Sequence, residues 1–223
     1  MTALTERFAR AVDYARIAHT GQVRKGTAIP YLTHLLGVAT LVIEHGGSED
    51  QAIAGLLHDC IEDCGEAHEA IIRAQFGDTV ARIVRACTDG TAEGKSENTT
   101  AEAKQADWLR RKRDYLKHLA EADDEVLLVS GCDKLHNALA IVADLENPDV
   151  GVKVFARFTG AREGTLAYYQ SLCEVFLARG SRSARELDAA VARMHAFAGD
   201  ASRQVLAFEV SVRGDYQDGI PAE

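Results

Sequence analysis

The chain has 223 residues, 47% of them apolar and 26% charged, with a net charge of −9. That length suffices for one domain whose core needs neither disulfides nor a structural metal. The acidic balance argues against a non-specific nucleic-acid binder, which relies on accumulated Lys and Arg.

The N-terminal stretch MTALTERFARAVDYARIAHTG has no apolar run of the signal-peptide kind, and no apolar stretch approaches about 20 residues. Five scattered cysteines (60, 64, 87, 132 and 173), odd in number and without a CxxC pair, point to free thiols in a reducing compartment. The expected location is the cytoplasm, with no membrane and no nucleic-acid partner. Apolar residues recur at three- and four-residue spacing, which predicts helices near 4–19, 31–45, 49–63, 66–75, 78–87, 101–121, 124–145, 160–179 and 183–198. Pro30-Tyr31 or Thr33 opens the second helix, and Ser48 caps the third after Gly46-Gly47. Asn147-Pro148 is a further break. The polar stretch 88–103, TDGTAEGKSENTTAEA, reads as a loop, either a lid or disordered. RRKR (110–113) reads as a solvated face of a mixed-charge helix. Leu206, Phe208, Val210 and Val212 alternate in a way that suits either a short strand or a frayed helix. The expected architecture is all-α: one helical domain of roughly nine helices over 1–199, with a tail of uncertain structure over 200–223.

Three of these helices carry ionisable groups among apolar neighbours. LLHDCIEDCG (56–65) brings His58, Asp59, Glu62 and Asp63 into a run whose other members ask for core. On one helix, residues four apart share a face, so His58 pairs with Glu62 and Asp59 with Asp63. Burying carboxylates without a compensating cation is expensive. A divalent metal would satisfy adjacent His and Asp, whereas an exposed polar stripe is the plain alternative. His34 lies on the inner face of the second helix, and Asp133 sits between two apolar faces in VLLVSGCDKLHNALAI (126–141). Each is unremarkable alone, but convergence of three helices on His and Asp is what a metal site in a bundle requires.

The order His34, then His58-Asp59, then Asp133 resembles the pattern of the HD-domain metal-dependent phosphohydrolases. More narrowly, AHTGQVRKGTAIPYLTHLLGVA, AGLLHDCIEDCG and CDKLHNAL resemble the hydrolase domain of the RelA/SpoT alarmone enzymes, over residues 14 to 145. That resemblance implies that His34, His58, Asp59 and Asp133 hold one divalent ion, usually Mn²⁺. It implies that Glu62 and Asp63 activate the attacking water, as a metal and a neighbouring carboxylate together can. Arg24, Lys25 and Asn137 would line the pocket for a purine nucleotide. On the helix after the 88–103 loop, Trp108, Lys112 and Tyr115 share one face that reads as core or as a base-stacking platform, and Arg111 and Tyr115 are weaker substrate-binding candidates. Tyr168-Tyr169 read as core or pocket wall, and His19 has no assigned role. Two positions depart from the family pattern: Cys64 stands where Thr is common, and CDKLHN where ADRLHN is common. Neither replaces a metal or acid position.

The expected activity is hydrolysis of the 3′-pyrophosphate of guanosine tetra- or pentaphosphate, (p)ppGpp, to GDP or GTP and pyrophosphate by a stand-alone small alarmone hydrolase. The alternatives are an HD-type phosphatase acting on NADPH or a nucleoside monophosphate, and a nucleotide-binding regulator without turnover.

Overall fold

A computed structural model of the chain describes residues 2–89 and 100–206. Ten α-helices and one 3-10 helix make up the regular structure of the described residues. In chain order they are α1 (Glu6–Ala18), α2 (Leu32–Glu44), α3 (Glu49–Leu57), α4 (Cys60–Cys64), α5 (Ala67–Phe76), α6 (Asp78–Cys87), α7 (Ala101–Glu121), α8 (Asp124–Glu146), a 3-10 turn (Gly151–Arg157), α9 (Ala161–Ala178) and α10 (Ala184–Ala198). The all-α expectation holds. Ser48 closes a capping box with Gln51 at the start of α3. At α2 the turn itself starts the helix: Tyr31 is the N-cap and makes no side-chain cap. Thr33 hydroxyl bonds back to the Pro30 carbonyl at 2.8 Å.

One predicted helix is two. The periodicity over 49–63 predicts a continuous element, but it breaks at His58-Asp59, where Asp59 adopts φ −95°, ψ −2°. Successive side chains on an unbroken helix diverge by about 100°. The break lets two adjacent residues address one centre.

α8 is the axle of the bundle, packed against α2, α3, α6, α9, α10 and the 3-10 turn. Its apolar residues therefore face neighbours on nearly every side, from Val126 to Leu145. Among the described residues, α8 is the one helix long and apolar enough by length and mean hydropathy to cross a membrane, although Asp133 and Lys134 interrupt its apolar run. Here 67% of its apolar window is buried within the protein, so its composition is that of a core helix. All five cysteines are free thiols and four are buried.

The loop expectation over 88–103 is shortened from its end: Thr100 caps α7, accepting from the Ala103 N–H at 3.1 Å, and residues 90–99 lie outside the described part. The strand-or-helix question over 206–212 falls mostly outside it too; Leu206 is buried and donates its N–H to Ser171 Oγ. RRKR is not a uniformly solvated face. Arg110 points outward, while Arg111 and Lys112 are mostly covered and pair with the buried Asp89.

Candidate metal centre and adjoining cavity

Four side chains from three parts of the bundle meet where α2, the α3–α4 break and α8 cross. His34 comes from the first turn of α2, His58 and Asp59 from the break, and Asp133 from the middle of α8. His34, His58 and Asp133 are buried; the Asp59 side chain is 18% exposed. One donor atom from each of His34, His58 and Asp59 lies within 4.8 Å of the others. His58 Nε2 is 3.0 Å from Asp59 Oδ2 and 3.4 Å from Asp133 Oδ1, and His34 Nε2 is 3.2 Å from Asp133 Oδ1 and 3.9 Å from Asp59 Oδ2.

These separations suit a shared ion. Two ligands about 2.0–2.2 Å from one ion and about 90–110° apart are themselves about 3–3.5 Å apart. Both Nε2 atoms are buried and make no well-formed hydrogen bond, although carboxylate oxygens stand close by. The rings are fixed from behind. His58 Nδ1–H donates to the Gly55 carbonyl at 2.8 Å, which leaves the Nε2 lone pair facing the cluster. His34 Nδ1 meets His136 Nδ1 at 2.9 Å. With its Nε2 lone pair turned inward, His34 carries its proton on Nδ1, and His136 is the acceptor. Burial first, and then electrostatic coupling to His34 and the Arg24 charge, push the His136 pKa down to about 4, so it stays a neutral acceptor. The donor set therefore fits a divalent ion of the imidazole-and-carboxylate type.

The charges of the cluster offset one another. Burial opposes a positive His58, but the Asp59 and Asp133 carboxylates outweigh it and hold its pKa well above the usual value. At His34 burial wins and the pKa is lowered. Burial works against ionised Asp133 as well, yet Lys134 and His58 keep its pKa well below the ordinary range. The carboxylate oxygens that face the imidazoles are also held by neighbouring donors. Tyr31 hydroxyl donates to Asp59 Oδ2 at 2.5 Å, and Asn137 Nδ2 donates to Asp133 Oδ1 at 2.6 Å. Arg24 Nη1 donates in turn to Asn137 Oδ1 at 3.0 Å.

Beside the cluster opens a cavity of about 520 Å³. Arg24, Lys25 and Asn137 line it, as expected, and Tyr31, Lys134 and Asn137 connect it to the donor cluster. Tyr168 and Tyr169 are both core and wall, being buried and part of its lining. Its remaining cations are Lys112, which pairs with Asp89, and Arg157, whose Nη1 is 2.6 Å from Asp144 Oδ2. Arg111 and Tyr115 are not brought there. They line a separate groove near α5 and α6, where Arg111 is engaged by Asp89 and Asp107, and Tyr115 hydroxyl bonds Ser130 Oγ. The same helix serves the cavity through Trp108 and Lys112 instead. Trp108 fits because Gly160 has no side chain: a Cβ there would meet the indole at 2.7 Å.

Glu62 and Asp63 sit on α4, one turn beyond Asp59, whose carbonyl accepts the Asp63 N–H at 2.8 Å. Asp63 thus follows Asp59 at the four-residue helical spacing, on the short helix that begins at the break. Asp63 Oδ2 takes a hydrogen bond from Gln22 Nε2 at 2.8 Å. His19 supports that contact: it is buried, its Nδ1 meets Gln22 Oε1 at 2.7 Å, and its ring centroid is 5.3 Å from that of Tyr31.

Sequence reasoning missed Gln22, Tyr31, Lys134, His136 and Arg157. The first four fall inside the quoted motifs, so proximity to a predicted ligand was the available signal; Arg157 had none. His136 has its own space requirement. A Cβ at Gly37 would stand 2.2 Å from His136 Nε2. Gly37→Ala is therefore expected to cost about 1–3 kcal/mol of stability and to weaken ion binding by turning His136 away from His34. Urea unfolding and an Mn²⁺ titration of the variant check this.

The bis(diphosphate) pyrophosphohydrolase MESH1 of Xenopus tropicalis is 35% identical over 130 residues, 57% of this chain and 65% of that protein. Guanosine-3′,5′-bis(diphosphate) 3′-pyrophosphohydrolase of Aquifex aeolicus is 37% identical over 134 residues, 59% of this chain but 17% of that protein. The chain thus spans less than two thirds of either relative. A solved structure described as a metazoan ortholog of SpoT that hydrolyzes ppGpp superposes with a TM-score of 0.62 at 21% identity, covering 86% of this chain and 98% of that one, a likeness of fold. The HD domain profile matches residues 11–166, which takes in all four donor residues and the cavity's cations, and the chain belongs to the HD-domain family.

Proposed function

We propose that the chain is a metal-dependent phosphohydrolase acting on a small purine nucleotide, and that its substrate is (p)ppGpp, hydrolysed at the 3′-pyrophosphate. The observation carrying this reading is the junction of two features. Two buried imidazole Nε2 atoms and two carboxylates converge without hydrogen-bonding one another's nitrogens. They open onto a cavity with cationic and aromatic lining. Two relatives named for this activity are 35% and 37% identical to the chain over 130 and 134 residues.

His34, His58, Asp59 and Asp133 would hold the ion, with Mn²⁺ as the proposed metal. When bound, it supplies Lewis acidity toward a phosphoryl oxygen and acidifies water. The chain's own residues do the rest. Asn137 and Tyr31 orient the ligating carboxylates. Arg24 and Lys25 supply charge to a polyanion, and a guanidinium plane can also stack on a purine. Glu62 and Asp63 take the proton of the attacking water; Gln22 fixes the Asp63 carboxylate for that work. Water adds to the 3′-linked phosphorus, the bond to O3′ breaks, the 3′-oxygen takes a proton, and pyrophosphate is released. The domain carrying this chemistry is proposed to be residues 1–199, in the cytoplasm.

Purified protein with Mn²⁺ and ppGpp, beside NADPH and GMP, provides the test. One pyrophosphate released per ppGpp consumed is the expected result. Phosphate from NADPH or GMP with ppGpp untouched would keep the metal site and discard the alarmone. Binding of ppGpp without turnover of any of the three would make the protein a regulator.

A further inference from the structure

The two oxygens of Asp133 have different neighbours. Oδ1 faces both imidazoles and accepts from Asn137. Oδ2 pairs with Lys134 Nζ at 2.6 Å. The Lys134 side chain is only 15% exposed, lines the cavity, and is backed by the Tyr115 ring, whose centroid is 5.2 Å from Nζ. Tyr115 is itself anchored to Ser130. Of the cavity's other anchored cations, Lys112 is held by Asp89 and Arg157 by Asp144, while Arg24 reaches the cluster through Asn137, which bonds Asp133 Oδ1. Among the described residues, Lys134 is the cavity cation that bonds a carboxylate of the cluster directly.

We propose that Lys134 is a substrate-contacting catalytic residue: its ammonium, aimed by Asp133, binds a non-bridging oxygen of the phosphoryl group under attack. This deepens the phosphohydrolase reading and rests on it. An ammonium has three donors, and Asp133 Oδ2 takes one. A phosphoryl group reaching from the cavity to the four donors must pass this charge. Negative charge on its oxygens is redistributed as the bond to the leaving oxygen breaks, and a cation already in place stabilises it without reorganising. The packing against Tyr115 and the pairing with Asp133 supply that fixed placement.

A purely structural role, in which Lys134 only steadies Asp133 as a ligand, makes the opposite forecast for the metal. Losing the steadying contact would weaken ion binding. Removing a positive charge beside the ion while keeping a donor for Oδ2 leaves ion affinity unchanged or tighter. The experiment compares wild type, Lys134→Gln and Lys134→Arg by calorimetric titration with Mn²⁺, by titration of the Mn²⁺-loaded proteins with pyrophosphate, and by steady-state ppGpp hydrolysis, with thermal unfolding to confirm that each folds. In Lys134→Gln, kcat is expected to fall about 100-fold. KM should rise by up to about tenfold, Mn²⁺ affinity should hold or rise, and pyrophosphate affinity should drop about tenfold. Lys134→Arg should recover most of both losses. The proposal is overturned if Lys134→Gln keeps wild-type kcat and pyrophosphate affinity, or if its loss of rate follows a loss of Mn²⁺ affinity and disappears at saturating Mn²⁺. Should the wild type release no pyrophosphate from ppGpp, the substrate reading fails. The pyrophosphate titration then still decides whether Lys134 binds a phosphoryl group.

Discussion

His58→Ala is expected to abolish stoichiometric Mn²⁺ binding and to lower ppGpp hydrolysis by about 1,000-fold or more, since a metal contributes several kcal/mol to the transition state and each 1.36 kcal/mol is tenfold in rate. The size of the effect follows from the position. His58 Nε2 is within 3.4 Å of both carboxylates, its ring is locked by the Gly55 carbonyl, and it is buried in the break between α3 and α4. The same residue sets a pH dependence. Because Asp59 and Asp133 raise the His58 pKa despite burial, the ion must displace a proton from His58 Nε2. Mn²⁺ affinity should therefore increase about tenfold per pH unit as pH rises, until pH passes the raised pKa, and then level off. Calorimetry at several pH values in buffers of different ionisation enthalpy counts that proton. An affinity that is flat from mildly acidic to neutral pH would contradict the charge assignment.

The second large effect separates the acids from the metal. Asp63→Ala should cut kcat for ppGpp about 100- to 10,000-fold, the range for removing a general base. Mn²⁺ affinity should stay near wild type, because Asp63 points to Gln22 and stands a turn away from the donor cluster. Glu62→Gln, which preserves shape, tells whether the proton goes to one acid or is shared: an equal loss in both variants means they act together. If Asp63→Ala lost the metal as well, the pair would belong to the ion's immediate surroundings and the division of labour proposed here would be wrong.

Much of the fold and of the donor set is legible in the sequence. Three- and four-residue spacing located nearly every helix, because an amphipathic helix must repeat its apolar face at that period to bury it. His34, His58, Asp59 and Asp133 were visible as expensive groups in apolar runs, since a buried carboxylate announces that something compensates it. Local spacing could not show the break at His58-Asp59, which arises because two neighbouring residues must face one point that α2 and α8 define. Nor could it say which residues of α7 face the cavity. The RRKR helix offered Arg111 and Tyr115 as candidates, but Asp89 engages Arg111 and Ser130 engages Tyr115, while the glycine at 160 leaves room for Trp108. Lys134 stood in the motif beside Asp133 and read as an ordinary neighbour. Its meaning comes from side-chain contacts between α7 and α8, which set the Tyr115 ring against the ammonium and a cavity in front of it. The composition and periodicity of the chain determined the helices and the groups that need a partner. Only their packing decided which groups meet, because partners for a buried charge come from segments far apart in sequence.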